Sequence, residues 1–170
     1  DHRGFITVDN HPGKGCAFNV FFPMIPSKTP PDAPPPKPVC PTGSERVLLV
    51  DDEPPILEMI RRMLEGLGYT VTSAEDGTDA LALFAADPHR FDLIFTDMTM
   101  PRMTGERLAR KVKAIRPDMP VIICTGFSDK MDPDRSRKLG LSGCLLKPIL
   151  RSDLAAAVRN ALDSGTVGGC

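Results

Sequence analysis

The sequence has few of the features that mark specialised classes of protein. Its 170 residues include no Trp and one Tyr, and 21 basic side chains nearly balance 22 acidic ones. A net charge of -1 without a long basic run provides no electrostatic footprint for nucleic acid or an anionic membrane, so we expect neither as a partner. No apolar stretch approaches the roughly 20 residues that a membrane-spanning helix needs.

The five cysteines do not form a framework of disulfides or metal ligands. They stand at positions 16, 40, 124, 144 and 170, without a CxxC pair and in an odd number. We therefore expect reduced thiols in a cytoplasmic protein. The start lacks both an initiator Met and a secretory signal, which favours a segment of a longer protein that could be membrane-anchored elsewhere.

What is present divides into regions of different composition. Nine of the 18 prolines fall between Pro23 and Pro41, which predicts an extended, semi-rigid linker over 24–45. Before it, GFITV and AFNVFF alternate like strands on either side of a Pro-Gly turn, which predicts a β-hairpin within 1–23. A lone hairpin is marginal in water, so we expect this one to belong to a larger sheet.

The region 46–164 alternates short apolar strands with amphipathic helices, and a short tail follows at 165–170. Several runs are continuous β-branched or Leu segments, which is typical of strands covered on both faces. The predicted strands are 46–50, 69–73, 91–96, 121–124 and 144–146. Helical periodicity lies between them, although the fourth helix, near 129–139, is poorly patterned. Five β-α units predict an α/β fold, a doubly wound five-stranded parallel sheet with helices on both faces.

Polar residues follow the predicted strands at the points where these end. Ligands of open parallel sheets bind outside the carboxyl ends of the strands. The residues expected at this edge are Asp51, Asp52, Asp97, Thr125 and Lys147. Three carboxylates, a hydroxyl and an ammonium suit phosphoryl transfer to a carboxylate with the help of Mg²⁺.

Each of these residues has a candidate role in that chemistry. Asp97 stands alone on a central strand and is the candidate nucleophile, while Asp51 and Asp52 would hold the metal, directly or through water. Thr125 and Lys147 would contact the phosphoryl oxygens. Taken singly, such residues are more often helix caps, turn formers or solvated charges. The complete set, spaced by whole β-α units, is far more specific than its members.

Four stretches resemble the receiver domains of response regulators, the family of the chemotaxis regulator. They are VLLVDDEP, LIFTDMTMPRMTG, VIICTG and LLKP, and the resemblance covers 46–164. It implies a flavodoxin-like sheet of order 2-1-3-4-5, with Asp97 as the phosphoacceptor. It also implies Mg²⁺ bound by Asp52, Asp97 and the backbone carbonyl of Thr99, with Asp51 as the outer acidic partner.

The same resemblance implies a switch and identifies two positions of interest. Thr125 corresponds to the hydroxyl that moves toward the phosphoryl group, and Lys147 to its ion-pair partner, with a usually cis bond before Pro148. Cys144 stands where many members of the family have an aromatic switch residue, which puts the usual ring rotation in doubt. Phe127 occupies a position that influences hydrolysis of the aspartyl-phosphate, and its bulk predicts slow self-dephosphorylation.

The segment before the linker is similar to the last glycine box and closing strands of a histidine-kinase ATP-binding domain. The similar residues run from Gly4 to Pro23. This order of segments is that of a hybrid sensor kinase, so we expect the phosphodonor to be a histidine kinase or a histidine phosphotransfer domain. None of the three histidines has the setting of a phosphodonor, and we expect no phosphorylation from ATP by this chain alone.

Two alternatives from other classes stay open at this point. A pseudo-receiver would keep the fold as a phosphorylation-independent binding module, although the intact set of site residues argues against it. A Mg²⁺-dependent phosphohydrolase similar to the haloacid dehalogenases would place its nucleophile in an Asp-x-Asp motif on the first strand, whereas Asp51 and Asp52 are adjacent. A homodimer is also open.

Overall fold

The computed structural model describes residues 3–23, 40–126 and 133–165, with the side chains of 133–135 and 165 left aside. The chain divides into two compact units, Asp1–Lys37 and Pro38–Cys170. Most of the predicted linker and the tail beyond 165 lie outside the described residues. Phe127 also lies outside them, so its effect on dephosphorylation stays a prediction. None of the helices in the described ranges is long and apolar enough to span a membrane.

The first unit is the predicted hairpin. Strands β1 (Phe5–His11) and β2 (Gly15–Phe21) pair in antiparallel register. The Lys14 N–H donates to the His11 carbonyl at 2.9 Å, and Gly13 has a φ of 79°. Pro12 followed by a glycine of positive φ is the residue pair that a type II turn favours, so local chemistry sets this register.

The second unit contains a five-stranded parallel sheet. Its strands are β3 (Arg46–Val50), β4 (Thr70–Ala74), β5 (Leu93–Asp97), β6 (Val121–Thr125) and β7 (Gly143–Leu146). The order across the sheet is β4-β3-β5-β6-β7. This confirms the predicted order 2-1-3-4-5. The three central strands are almost entirely buried, which explains their continuous apolar sequences.

Helices cover both faces of this sheet, as predicted. They are α1 (Pro54–Glu65), α2 (Gly77–Ala86), α3 (Gly105–Ile115), α4 (Pro133–Lys138) and α5 (Arg151–Gly165). Apolar side chains of α1 and α5 share one buried cluster with one face of the sheet, and those of α2 and α3 share the other. Two cores therefore hold the central strands rigidly and fix the positions of their carboxyl ends.

Candidate functional site

Four polar side chains lie at the edge of the sheet where its strands end. Asp51 follows β3, Asp97 is the last residue of β5, Thr125 is the last residue of β6, and Lys147 follows β7. β5 lies between β3 and β6, so Asp97 is central. The parallel sheet thereby brings together residues that are far apart in the sequence.

The Lys147 ammonium joins two buried carboxylates. Its Nζ lies 2.7 Å from Oδ1 of Asp97 and 3.2 Å from Oδ2 of Asp51. The side chains of Asp97 and Asp51 are 8% and 2% exposed, against 24% for Lys147. One cation therefore balances two carboxylates that would repel each other in these low-dielectric surroundings.

Backbone N–H groups orient both carboxylates. The Thr99 N–H donates to Oδ2 of Asp97 at 2.7 Å, and the Glu53 N–H donates to Oδ1 of Asp51 at 2.9 Å. Each carboxylate thus directs one oxygen to a backbone amide and the other to Lys147. This arrangement holds the acceptor oxygens in fixed positions before any ligand arrives.

The surroundings of the site shift the pKa values of Asp51 and Lys147. Burial raises the pKa of the Asp51 carboxyl, although the Glu53 N–H and Lys147 favour its anion. Burial acts to lower the pKa of Lys147, but the hydrogen bond to Asp97 and the charges of both carboxylates outweigh it and raise that pKa. Lys147 is therefore a stable cation, whereas the Asp51 anion is held at a cost in free energy.

Cys124 forms part of the apolar floor beneath the site. It is paired in register with Asp97 across β5 and β6 and is fully buried. Burial raises the pKa of its thiol to about 12. The thiol therefore stays protonated at neutral pH and acts as a small apolar side chain.

The other predicted site residues lie beside this network. Asp52 is the next residue along the chain from Asp51 and is half-buried. The Thr125 carbonyl accepts the Lys147 N–H at 2.9 Å, while its hydroxyl donates to the following carbonyl at 3.3 Å. Side-chain contacts thus join Asp51, Asp97 and Lys147 directly, and the remaining predicted residues are their neighbours along the chain or across a strand.

The structure also shows two features that the resemblance singled out, at Cys144 and at the bond before Pro148. Cys144 lies on β7 opposite Ile123 and is exposed. The peptide bond between Lys147 and Pro148 is cis, as the resemblance implied. The position of a switch aromatic is therefore filled by a small exposed side chain.

The loop between β5 and α3 contains a contact that the sequence interpretation missed. Arg102 Nε lies 3.0 Å from Oδ2 of Asp76, whose Oδ1 accepts the Thr78 N–H at 2.6 Å and caps α2. An Asp before an apolar helix is a recognisable cap signal, so the capping role of Asp76 could have been predicted from the sequence. The ion pair with Arg102 could not have been predicted in this way, because Arg102 and Asp76 are 26 positions apart in the sequence.

The donor atoms at this edge suit a hard divalent cation. Asp51, Asp97 and the Thr99 carbonyl offer only oxygen ligands, which magnesium prefers. A cation beside Asp51 would also relieve the burial penalty on its anion. Among the described residues, no group of three or more acidic, His or Cys side chains is arranged to hold a metal, and Lys147 lies between two of the carboxylates. The residues fit Mg²⁺ by their donor chemistry, and the ammonium competes for the same oxygens.

A comparison with protein-family models identifies most of the second unit. The model of the response regulator receiver domain matches residues 47–159. A solved receiver domain protein from Clostridium thermocellum is 35% identical, with a TM-score of 0.69 over 72% of this chain and 98% of that one. The Vibrio cholerae chemotaxis protein CheY4 is 30% identical, with a TM-score of 0.63 over 71% of this chain and 100% of that one.

Similar curated proteins are much longer than this chain. Sensor kinase CckA of Brucella abortus is 32% identical over an alignment of 168 positions, gaps included, and the alignment covers 94% of this chain and 18% of that protein. Virulence sensor protein BvgS of Bordetella bronchiseptica is 36% identical over an alignment of 177 positions, gaps included, and the alignment covers 94% of this chain and 14% of that protein. The chain therefore spans less than a fifth of the length of these two relatives.

Proposed function

The chain belongs to the response-regulator receiver family, and on that premise we propose that Asp97 accepts a phosphoryl group from a phosphohistidine in a Mg²⁺-dependent reaction. The family performs signal transduction in two-component systems. The observation that best supports Asp97 as the acceptor is the ion-pair network at the carboxyl edge, in which Lys147 Nζ contacts both Asp97 and Asp51.

The transfer forms one bond and breaks another. An Asp97 carboxylate oxygen attacks phosphorus while the P–N bond to the donor imidazole breaks, and the imidazole leaves with the bonding electrons. Lys147 lowers the repulsion between the carboxylates and the incoming anion, because its ammonium already lies 2.7 Å from Asp97. Thr125 ends the neighbouring strand, and we assign its hydroxyl to the phosphoryl oxygens after the transfer.

The magnesium ion would be held by the acidic edge. Asp51, Asp52, Asp97 and the Thr99 carbonyl are the proposed ligands, some of them through water. When bound there, Mg²⁺ would supply positive charge that offsets the negative charge of the phosphoryl group. Asp51 contributes by keeping a buried negative charge at this edge, oriented by the Glu53 N–H.

The phosphodonor must reach Asp97 from outside. An open apolar pocket of about 460 Å³ lies beside the site and is lined by Ile56, Met59, Lys147, Pro148 and Ile149. Because Lys147 belongs to both the pocket and the carboxylate network, we assign this surface to the domain that carries the phosphohistidine. That domain is a histidine kinase or a histidine phosphotransfer domain.

We propose a hybrid sensor kinase as the longer protein, with its receiver in the cytoplasm. Residues 1–23 would be the closing strands of its ATP-binding domain, 24–45 the linker, 46–164 the receiver and 165–170 a tail. Support comes from the two relatives named above, one of which is called a sensor kinase, because the similarity to each covers 94% of this chain. The exposed apolar hairpin agrees with a segment that packs within a larger sheet.

The test is intact-mass spectrometry after incubation with Mg²⁺ and phosphoramidate, whose P–N bond has the chemistry of phosphohistidine. We expect one phosphoryl adduct on the wild-type chain and none on Asp97→Asn or after chelation of the metal. Asp92→Asn is the matched control, because Asp92 directly precedes β5, at the end opposite to Asp97, and pairs with Arg46. A folded wild-type chain without an adduct would reject the proposal in favour of a pseudo-receiver.

A further inference from the structure

The loop that follows Asp97 contains a strained turn. Arg102 has a φ of 61°, in the left-handed region that favours glycine. The Met103 N–H donates to the Pro101 carbonyl at 2.6 Å, so the three residues form a γ-turn with a positive central φ. Turns of this kind are rare and strained, and they persist where surrounding contacts determine them.

The contacts that surround this turn come from α2. The Nε of Arg102 lies 3.0 Å from Oδ2 of Asp76, and the Asp76 side chain is only 4% exposed. Although burial acts to raise the pKa of Asp76, its hydrogen bonds from Thr78 and the charge of Arg102 lower it. The turn therefore has a stable buried anion as its partner.

A second contact joins α2 to the same turn. A Cβ at Gly77 would lie 2.9 Å from the Met103 carbonyl oxygen, so the first residue of α2 is in close packing with the turn. Met100 and Met103, on either side, are buried in the core. Arg102 is exposed, lies between these two buried methionines, and is the point at which the loop could relax.

The loop in turn determines the backbone around the acceptor carboxylate. The Thr99 N–H donates to Asp97, and the Gly105 N–H donates to the Met98 carbonyl at 2.9 Å. A relaxed turn would displace the Thr99 backbone, because only two residues separate it from Arg102. Its hydrogen bond to Asp97 would then weaken.

We propose that Arg102 is a positioning residue, whose ion pair with Asp76 holds the strained turn after Asp97 and thereby the Thr99 backbone at the phosphorylation site. This inference rests on the proposed function for its effect on phosphorylation, but not for its effect on the loop. The ion pair offsets the backbone strain that a non-glycine residue has at this position.

The experiment compares two substitutions of Arg102. Arg102→Ala removes the ion pair and keeps the strain, whereas Arg102→Gly removes both. We expect Arg102→Ala to slow phosphorylation by phosphoramidate and Mg²⁺ about fivefold, which corresponds to about 1 kcal/mol at 1.4 kcal/mol per factor of ten. We expect Arg102→Gly to recover to within about twofold of wild type, since glycine adopts positive φ freely. Asp76→Asn, which retains a capping oxygen, should resemble Arg102→Ala.

Amide hydrogen exchange by NMR in metal-free protein tests the loop independently of phosphorylation. Arg102→Ala should accelerate exchange of the Thr99 and Met103 amides about fivefold, with Arg62→Ala as the matched control, because Arg62 forms an exposed ion pair on α1. If Arg102→Ala leaves these amides unchanged, or if Arg102→Gly is as impaired as Arg102→Ala, the proposal is overturned. If Arg102→Ala accelerates exchange as expected but the wild-type chain forms no phosphoryl adduct, the proposed function is rejected. The role of Arg102 in holding the loop is then kept.

Discussion

At the scale of single residues, the site is governed by one cation shared between two anions. Lys147 contacts Asp51 and Asp97, and both carboxylates are almost completely buried. A buried charge that loses its partner is strongly unfavourable, so this ammonium stabilises the protein when no metal is bound. It also lies close to the carboxylate oxygens that a divalent cation would use, which links protein stability to metal affinity.

This competition predicts the behaviour of Lys147→Met. We expect the variant to bind Mg²⁺ about tenfold more tightly, which corresponds to about 1.4 kcal/mol, because the metal no longer competes with an ammonium for the carboxylate oxygens. Its phosphorylation should nevertheless be slower. Isothermal titration calorimetry with Mg²⁺ measures the affinity, and Lys113→Met is the control because Lys113 lies in the last turn of α3. Equal or weaker binding by Lys147→Met would contradict the idea of competition.

Sequence reasoning predicted the residues of the ion-pair network but not the support around them. Asp97 and Lys147 follow apolar strands, and the direction of parallel strands is enough to place them at one edge. Arg102 could not be found in this way. Its positive φ and its ion pair depend on the position of α2, which is set by packing in the core and not by the residues next to Arg102.

At the scale of elements, two of the three central strands, β3 and β5, are joined at their amino ends. Arg46 donates from its guanidinium to both carboxylate oxygens of Asp92, at 3.0 and 2.8 Å, and its backbone N–H donates to Asp92 at 2.8 Å. The hydrogen bonds from Arg46 lower the pKa of Asp92, despite partial burial. This pairing sets the register at the end of the sheet opposite to the site.

The lowered pKa of Asp92 determines how its contribution depends on pH. Its folded-state pKa lies below the unfolded value of about 3.9, so the stabilisation is complete above that value and is lost as the pH falls through the folded pKa. We expect Asp92→Asn to reduce the free energy of unfolding by about 1 kcal/mol at pH 7, since the pair is partly exposed. Urea unfolding should show the difference from wild type shrinking as the pH falls below about 4. A difference that stays constant down to low pH would contradict this account.

The elements themselves were predicted closely, and the deviations have local causes. The predicted strand 69–73 is shifted by one residue from β4, because Tyr69 packs in the core before the ladder begins. Apolar residues with helical spacing run from Ile56 to Leu67 in the sequence and predict a helix of that extent, but α1 ends at Glu65. Leu67 is nevertheless buried, because the turn after the helix directs it into the core. A residue can therefore complete an apolar pattern without belonging to the element that the pattern predicts.

At the scale of the whole molecule, the two units differ in how they bury apolar surface. The second unit has two buried clusters around its sheet. The hairpin has none, and every residue of its two strands is exposed. Its register places Ile6 opposite Val20 and Val8 opposite Phe18, so that these four side chains form one apolar face. On the other face, Asn19 Nδ2 donates to Asp9 Oδ2 at 3.2 Å.

This asymmetry predicts that the hairpin promotes self-association of the isolated chain. The side chains of its apolar face are between 53% and 69% exposed, and full burial of each would contribute about 1.5–3 kcal/mol. We expect the chain 1–170 to associate with rising concentration in sedimentation velocity, and the chain 38–170 to remain monomeric with an unchanged rate of phosphorylation. Phe18→Thr should weaken association, because it removes an aromatic side chain from the apolar face while keeping a strand-forming residue. Asn19→Thr changes the opposite face, which also carries the stacked rings of Phe5 and Phe21, and serves as the control. If 1–170 and 38–170 associate equally, the contact lies on the receiver and not on the hairpin. That result would count against the interpretation that the apolar face of the hairpin is suited to the interior of a larger domain.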